Sequence, residues 1–277
     1  MTADKTIIKA SKGIPKLELK ELLQYKDLFI LLAYRDYRVR YAQTFLGFFW
    51  AFIQPFATLL IFTIVFGKAV KVDTGGIPYP LFAVCGMAAW TFFAFVLSNS
   101  GSSIVGAQGM IQKIYFPKLI IPLAKAIVGF VDFGIGFLFI SILCIYYNFI
   151  PSSNIVFLPI FILITIFSAL TIGIWLSALT IRFRDFQHIV PFLVQFGLYA
   201  TPIAYPADLI TNTLPKWASI LYFLNPMAGV VEGFRWSILG GAPPSDYAYI
   251  SYAMIFVLFT LGLFYFKKVE ETMADIV

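Results

Sequence analysis

Two long runs of residues without a single charge constrain the fold of this chain more than any other feature. Residues 41–67 and 74–112 contain no Asp, Glu, Lys or Arg. A helix of about 20 apolar residues crosses a bilayer, so both runs are long enough to do so. Lipid offers no partners to backbone polar groups, which leaves helices and closed barrels as spanning structures. We therefore expect an all-α integral membrane protein.

Four further apolar stretches bring the expected number of transmembrane helices to six. Charged residues make up only 12% of the chain, against about 25% in soluble domains. We expect a cytoplasmic segment over residues 1–40, a transmembrane domain over 41–268 and a cytoplasmic tail over 269–277. The expected spans cover residues 41–67, 80–105, 119–149, 155–181, 186–205 and 247–266.

Residues 214–241 are apolar but do not resemble a seventh span. The Asn225-Pro226 pair interrupts them, and Glu232 and Arg235 lie in the second half. Asn is a common N-cap and Pro fits the first turn of a helix. We predict two half-helices that meet at Asn225 and form a re-entrant gate on the outer side, with these four residues as its polar and helix-breaking positions.

The distribution of positive charge supports this topology. With six spans and a cytoplasmic N-terminus, 16 of the 20 Lys and Arg residues lie on the cytoplasmic side, as the positive-inside rule demands. A seventh span at residues 214–241 would move Lys267 and Lys268 outside. The first 27 residues hold six lysines and no apolar stretch, so we expect no cleavable signal peptide.

A basic and aromatic cluster, YRDYRVRY at residues 34–41, precedes the first span. The leucine-rich pattern from residue 17 onwards predicts an amphipathic helix along the inner membrane surface. Arg and Tyr are usual headgroup anchors; alternatively, Arg35 and Arg38 bind the phosphate of an anionic lipid, because guanidinium groups match phosphate oxygens. Asp36 and Arg40 lie four apart and can pair. The tyrosines of the cluster are Tyr34, Tyr37 and Tyr41.

The connection between the second and third spans, GMIQKIYFPKLIIP at residues 109–122, is short, basic and apolar. It is either an ordinary cytoplasmic turn or a short helix that docks into a groove of a partner subunit. Apolar side chains that face the cytoplasm need cover, which favours a partner. The candidate coupling residues are Ile111, Lys113, Ile114, Tyr115, Phe116, Pro117 and Lys118.

Two ionisable residues interrupt the third expected span. Lys125 and Asp132 follow Lys118 at intervals of seven, which places all three along one helix face. Ionisable residues inside a span are functional candidates by default. Because Lys125 and Asp132 are about 10 Å apart along the helix, a direct bond would need both side chains to bend. They form either a structural intramembrane pair or a subunit-interface or cavity-facing site.

The sequence lacks the usual enzyme motifs. It contains one histidine, His188, no GxSxG and no GxxxxGK[ST]. A chain without this last motif cannot hydrolyse ATP by a P-loop of its own. Cys85 and Cys144 lie in apolar runs and are interpreted as small buried hydrophobes. We expect no catalytic residues, no metal site and no cofactor bound by this chain.

Four segments together resemble the membrane subunit of an ABC-2 type exporter of polysaccharides such as O-antigen, capsule or teichoic acid. The segments are LLAYRDYRVRYAQTFLGFFWAFIQP, GMIQKIYFPKLIIPLA, LTIRFRDFQHIVPFLVQFGLYATPIAYP and LNPMAGVVEGFRWSILG. They cover most of the chain after Leu28. The combination is specific, although any one segment alone would not be.

The resemblance implies a bacterial inner-membrane permease with both termini in the cytoplasm. It implies a homodimer that encloses a channel for lipid-linked polysaccharide, and two partner subunits that bind ATP and Mg²⁺. By position, residues 111–118 would form the coupling helix, and Arg35 and Arg38 would contact the carrier phosphate. Membrane lipids are further partners, and no nucleic acid is expected.

Three other functions remain to be compared with this one. An ABC-2 permease for a drug or small lipid would share the fold but need no wide aromatic channel. An ion-coupled secondary transporter could use Lys125 and Asp132, but inverted repeats would be expected and none is visible. A membrane glycosyltransferase would need a catalytic constellation that the sequence lacks.

Overall fold

The computed structural model describes residues 19–41, 49–271 and 273, without the side chains of Leu19 and Tyr41. Every regular element in these ranges is a helix. Two helices precede the first span, α1 (Leu19–Gln24) and α2 (Lys26–Tyr41). The others are α3 (Trp50–Phe62), which continues as a π-helix (Thr63–Ala69), α4 (Tyr79–Gly101), α5 (Ser103–Gly106), α6 (Gln108–Ile111), α7 (Ile120–Tyr146), a 3-10 turn (Ser153–Phe157), α8 (Leu158–Arg182), α9 (Phe186–Ala200), α10 (Asp208–Thr213), α11 (Lys216–Phe223), α12 (Pro226–Leu239) and α13 (Ala248–Glu270).

Five helices in the described residues are long and apolar enough to cross a membrane. They coincide with the first, second, third, fourth and sixth expected spans. The all-α membrane fold is therefore confirmed. The five helices cover Trp50–Ala69, Tyr79–Gly101, Ile120–Tyr146, Ser153–Arg182 and Ala248–Glu270.

The fifth expected span differs from the prediction. Of residues 186–205, only Phe186–Ala200 form a helix, α9, of 15 residues. At 1.5 Å per residue it is about 22 Å long and shorter than a hydrocarbon core of about 30 Å. The helix ends because Thr201 adopts an extended conformation, the one favoured before a proline such as Pro202. The count of six spans stays a prediction.

Helix α4 lies at the centre of the bundle and packs against α7, α8, α9 and α12. Small residues allow close approach, as in other membrane bundles. A Cβ on Gly136 of α7 would lie 2.8 Å from Ala88 of α4, and one on Gly173 of α8 would lie 3.0 Å from Ser100. Helix α13 packs on the far side of α8, and α2 lies along α7.

The predicted interruption at Asn225 is confirmed. Helices α11 and α12 are separated by two residues. The Asn225 side chain accepts a 3.0 Å hydrogen bond from the Met227 N–H, and Pro226 occupies the first helical position. Local capping chemistry therefore accounts for the break, while the re-entrant placement of the two helices in a membrane stays a prediction.

The coupling helix proposed over residues 111–118 is a wrong prediction. Helix α6 ends at Ile111, and residues 112–119 are not helical. Pro117 disfavours helical geometry at Phe116 and has no N–H to donate. The structure instead places two short helices, α5 and α6, before a non-helical coupling segment, which we define as residues 112–119.

Candidate functional site

Two ion pairs join α2 to α7. Lys125 Nζ lies 2.5 Å from Asp36 Oδ2, and Arg40 donates two hydrogen bonds, of 2.8 and 2.9 Å, to the Asp132 carboxylate. Sequence spacing allowed Asp36 to pair with Arg40, and left open either a pair between Lys125 and Asp132 or a cavity-facing role for the two. In the structure, both carboxylates bind a cation across the contact between α2 and α7.

Asp36 also accepts hydrogen bonds from the neighbouring Arg35, with Arg35 Nη2 2.8 Å from Asp36 Oδ1. Burial raises the pKa of the Asp36 carboxyl, but hydrogen bonds from Lys125 and Arg35 outweigh it and hold the pKa below its usual value. Asp36 is thus an ionised link between α2 and α7. The Arg40 guanidinium also lies 4.3 Å from the centroid of the Phe95 ring on α4, which extends the network to a third helix.

A cavity of about 480 Å³ lies beside the Arg40–Asp132 pair, between α3, α4 and α9. Its aromatic lining consists of Trp50, Trp90 and Phe95. The Trp90 ring lies against Gly197 of α9, where any Cβ would overlap the indole. A glycine at this position therefore lets the large side chain form part of the cavity wall.

The remaining polar lining is uncharged. On α3, Gln54 and Thr58 are four residues apart, and on α4 Thr91 and Ser98 are seven apart, so each pair lies on one helix face. The uncharged polar side chains that line the cavity are Gln54, Thr58, Thr91, Ser98, Asn99 and Gln195. Sequence reasoning did not select any of them; polar residues at helical spacing within an uncharged run were the available signal.

A second cavity of about 400 Å³ adjoins the first. Arg40, Phe95 and Asn99 line both cavities, and Asp36 and Lys125 line the second. The two ion pairs therefore border two neighbouring cavities where α2, α4 and α7 meet. Of the two roles left open for Lys125 and Asp132, the cavity-facing one agrees with this geometry.

The expected phosphate-binding residues lie on the surface of α2. Tyr34, Arg35, Tyr37 and Arg38 are exposed, and Arg38 lies 6.0 Å from the centroid of the Tyr34 ring. Neither Arg35 nor Arg38 lines either cavity; Arg40 is the arginine of the cluster that does. The Tyr41 side chain lies outside the described part of the chain.

The coupling segment is held at one end by α1. The Tyr115 hydroxyl donates a 3.1 Å hydrogen bond to Glu21, and the Tyr25 hydroxyl donates a 3.4 Å bond to the Tyr115 carbonyl. Phe116 is buried, whereas Ile114 and Tyr115 are 50% and 59% exposed. Two apolar side chains of the segment are therefore presented to the outside of the protomer.

The other end of the coupling segment is held by the end of α13. The Lys118 N–H donates a 2.7 Å hydrogen bond to the Glu270 carboxylate, and Lys118 Nζ donates a 3.0 Å bond to the Glu270 carbonyl. Lys267 also binds this carboxylate, at 2.8 Å. The segment thus links the N-terminal and C-terminal helices, a connection that no sequence motif indicated.

Arg235, expected to be a polar position of the re-entrant gate, is buried among backbone carbonyls. Its guanidinium donates to the carbonyls of Pro202 and Ile203 and, at 3.1 Å, to that of Phe82. It also lies 3.6 Å from the centroid of the Phe82 ring. Arg235 therefore fastens α12 to α4 and to the non-helical residues that follow α9.

Glu232, the other charged position expected in the gate, binds the loop before α13. It accepts a 3.0 Å hydrogen bond from the Ser245 hydroxyl and a 3.3 Å bond from the Ser245 N–H. At the break, Asn225 Nδ2 donates a 2.9 Å bond to Thr201 Oγ1. Asn225, Glu232 and Arg235 thus bind α12 and the break before it to neighbouring segments, while Pro226 begins the helix; a gating movement stays a prediction.

Comparison with known proteins agrees with this architecture. The family model described as ABC-2 type transporter matches residues 27–239. The O-antigen export system permease protein RfbA of Klebsiella pneumoniae is 28% identical over 268 residues, which cover 94% of this chain and 99% of the relative. RfbA of Myxococcus xanthus is 28% identical over 217 residues, 78% of this chain and 82% of the relative. The polysialic acid transport protein KpsM of Escherichia coli is 25% identical over 246 residues, 86% and 92% of the two chains. The chain belongs to the ABC-2 type transporter family of membrane proteins.

Proposed function

We propose that the chain is the permease subunit of an ATP-driven polysaccharide exporter. The observation that carries the proposal is the cavity of about 480 Å³ lined by aromatic, amide and hydroxyl side chains. Sugar rings present hydroxyl groups to amides and hydroxyls, and their apolar faces pack on aromatic rings. The names of the relatives, which concern O-antigen and polysialic acid, support the same class of substrate.

The working unit is a homodimer. Helices α3 and α9 border the cavity but expose large apolar side chains on their other faces, including Phe56 at 55% and Phe196 at 59%. A second copy packed against these faces would extend the cavity into a channel between protomers. Van der Waals packing of such side chains is one of the forces that associate helices in a membrane.

The energy comes from two partner subunits that bind ATP and Mg²⁺, because this chain has no P-loop. Their docking surface is the coupling segment with its exposed Ile114 and Tyr115. Closure of the partners on ATP would press on this segment. Hydrogen bonds from the segment to α1 and α13 would then transmit the movement to the membrane helices.

The substrate is a glycan on a lipid carrier that enters from the inner leaflet of the bacterial inner membrane, and both termini of the chain are cytoplasmic. Arg35 and Arg38 of α2 contact the carrier phosphate, a role that their exposure and Arg chemistry support. Residues 214–241 form the re-entrant outer gate. These assignments follow the topology that the positive charges favour.

The cavity assignment is tested by export in cells whose only permease is this chain. The double variant Gln54→Ala, Gln195→Ala removes two exposed amides of the lining and should reduce surface polysaccharide several-fold. Gln187→Ala, in the same helix α9 but outside the cavity lining, is the matched control. Co-purification of an ATP-binding subunit should be equal in all three proteins. Full export by the double variant, or purification without any ATPase, would contradict the proposal.

The lipid-phosphate assignment has its own test. The double variant Arg35→Ala, Arg38→Ala should reduce export while the amount of assembled complex stays unchanged. Normal export in this variant would limit the cluster to anchoring in bulk headgroups. Export of a small amphiphile instead of a glycan, with an intact complex, would favour a permease for a drug or small lipid.

A further inference from the structure

The charged side chains around the two cavities cancel one another. Arg40 and Lys125 are the cations that line them, and Asp36 and Asp132 are the anions. Each cation is bonded to an anion, Lys125 to Asp36 at 2.5 Å and Arg40 to Asp132 at 2.8 and 2.9 Å. Among the residues that the structure describes, the lining of the two cavities therefore carries no net charge; Arg35, which also binds Asp36, lines neither cavity.

This pairing disfavours an anionic substrate. A sugar acid or phosphodiester needs a cation to replace the water that it loses in a cavity. Asp132 already accepts hydrogen bonds from both Nη atoms of Arg40. An anion that displaced Asp132, whose side chain is 13% exposed, would leave a poorly solvated, unpaired carboxylate. The same carboxylate repels an anion that approaches without displacing it.

The rest of the lining suits an uncharged substrate. Apart from the ion pair, the cavity of about 480 Å³ presents side-chain amides, hydroxyls and aromatic rings. Amides such as Gln54, Asn99 and Gln195 can both donate and accept, which matches sugar hydroxyls. None of these groups carries a positive charge that would offset the desolvation of an anion.

We propose that this cavity selects glycans built from uncharged sugars and discriminates against polyanionic ones. The inference rests on the proposed function, because it assumes that the cavity holds part of the exported glycan. The names of the relatives leave this property open: polysialic acid, in the name of KpsM, is a polymer of sugar acids. The Arg40–Asp132 and Asp36–Lys125 pairs are the specificity determinants.

The proposal is tested by binding to the full chain in lipid nanodiscs together with its ATPase. The probes are a neutral glucan heptasaccharide and a sialic acid octamer, followed by tryptophan fluorescence, because Trp50 and Trp90 line the cavity. We expect the heptasaccharide to bind at least about tenfold more tightly than the octamer. The octamer needs a charge-assisted contact to a cation, worth about this factor, and the lining cations already bind carboxylates. The affinity of the heptasaccharide should not depend on salt.

Variants connect the preference to the ion pairs. Asp132→Asn removes the carboxylate that neutralises Arg40 and should shift the affinity ratio towards the octamer, in a salt-dependent manner. Asp36→Asn, which acts on Lys125, gives an independent second variant if Asp132→Asn folds poorly. Asp246→Asn makes the same change of charge at an exposed site away from the cavities and should leave the ratio unchanged.

The possible failures are distinguishable. If the wild-type chain binds the octamer as tightly as the heptasaccharide, the selectivity proposal is wrong and the exporter function stands. The same holds if a folded Asp132→Asn or Asp36→Asn variant keeps the wild-type ratio. If neither probe binds to an intact complex, the cavity does not hold glycan, and both the cavity assignment and the selectivity proposal fail.

Discussion

Arg40 and Asp132 join α2 to α7 through two hydrogen bonds of 2.8 and 2.9 Å, although 92 positions separate them in the chain. The two-bond geometry fixes both the distance and the orientation of the helices. Because the Asp132 side chain is 13% exposed and that of Arg40 is 31% exposed, the pair is only partly solvated. The pair therefore stabilises the contact between α2 and α7 and also lines the cavity.

We expect Arg40→Gln and Asp132→Asn each to lower the midpoint of thermal unfolding in detergent. The double variant should lose less than the sum of the two, with a coupling energy of about 0.5–3 kcal/mol, the range for residues in direct contact. The physical reason is that either single variant leaves one buried charge without its partner. Additive losses would show that the pair does not stabilise the contact.

The Asp36–Lys125 pair should make stability depend on pH in the acidic range. Because the pKa of Asp36 is held below its usual value of 3.8, the folded state favours the ionised form. The stabilisation is therefore complete above the usual pKa and is lost as the pH falls through the lower, folded-state value. The thermal midpoint should fall below pH 4, and less steeply in Lys125→Gln.

Arg35 also binds Asp36, so the Lys125→Gln variant should show a reduced pH dependence and not a complete loss. Lys26→Gln, at an exposed position of the same helix α2, removes the same charge and should keep the wild-type profile. Identical profiles for wild type and Lys125→Gln would show that Lys125 does not depress the pKa of Asp36.

Hydropathy predicted the positions of five long helices because each depends only on a continuous apolar run. The break at Asn225 was also predictable, since an N-cap and a proline act within one turn. Hydropathy did not predict the early end of α9, because residues 201–205 are also mostly apolar; Pro202 was the local signal. The bonds that hold the carbonyls of these residues could not be predicted, because they come from Arg235, up to 33 positions away.

The cavity shows a similar limit. The polar stripes on α3 and α4 can be identified from helical spacing, but their meeting around one space depends on how α3, α4 and α9 pack. The charges of α2 and α7 are candidates from the sequence, but helical spacing identifies possible partners only within one helix. Spacing along one helix gives no information on a side chain that comes from another helix. For this reason the contact of Arg40 on α2 with Asp132 on α7, and with it the cavity, could not be predicted.

Arg235→Lys should be strongly destabilising although it keeps the positive charge. Lysine has no planar fork to serve several carbonyls and cannot stack on the Phe82 ring in the same way. Each buried carbonyl left unpaired costs about 1–3 kcal/mol, so the thermal midpoint should drop well below that of wild type. Arg184→Lys, at an exposed position between α8 and α9, is the control and should melt like wild type.

Gly86→Ala tests the same site from the opposite side. A Cβ on Gly86 would lie 2.7 Å from Arg235 Nη2. The guanidinium cannot move away without breaking its hydrogen bonds to the carbonyls of Pro202 and Ile203. Gly86→Ala should therefore lower the thermal midpoint, as Arg235→Lys should. Wild-type stability in both variants would show that Arg235 does not fasten α12 to α4.

Glu270 should control how efficiently ATP hydrolysis drives export. Its carboxylate binds the Lys118 N–H of the coupling segment and Lys267 of its own helix α13. Glu270→Ala removes the carboxylate acceptor and leaves the bond from Lys118 Nζ to the backbone carbonyl of residue 270, so pressure on the segment should reach α13 less effectively. We expect more ATP hydrolysed per glycan exported, measured in vesicles with the purified complex, while assembly with the ATPase is retained.

A conservative variant distinguishes transmission from a general loss of structure. Glu270→Gln keeps an oxygen that can accept the Lys118 N–H and should restore most of the coupling, even though its charge is lost. Glu271→Ala, at the exposed neighbouring position, should behave as wild type. If Glu270→Ala hydrolyses no more ATP per glycan than wild type, the contact between α13 and the coupling segment does not transmit the movement.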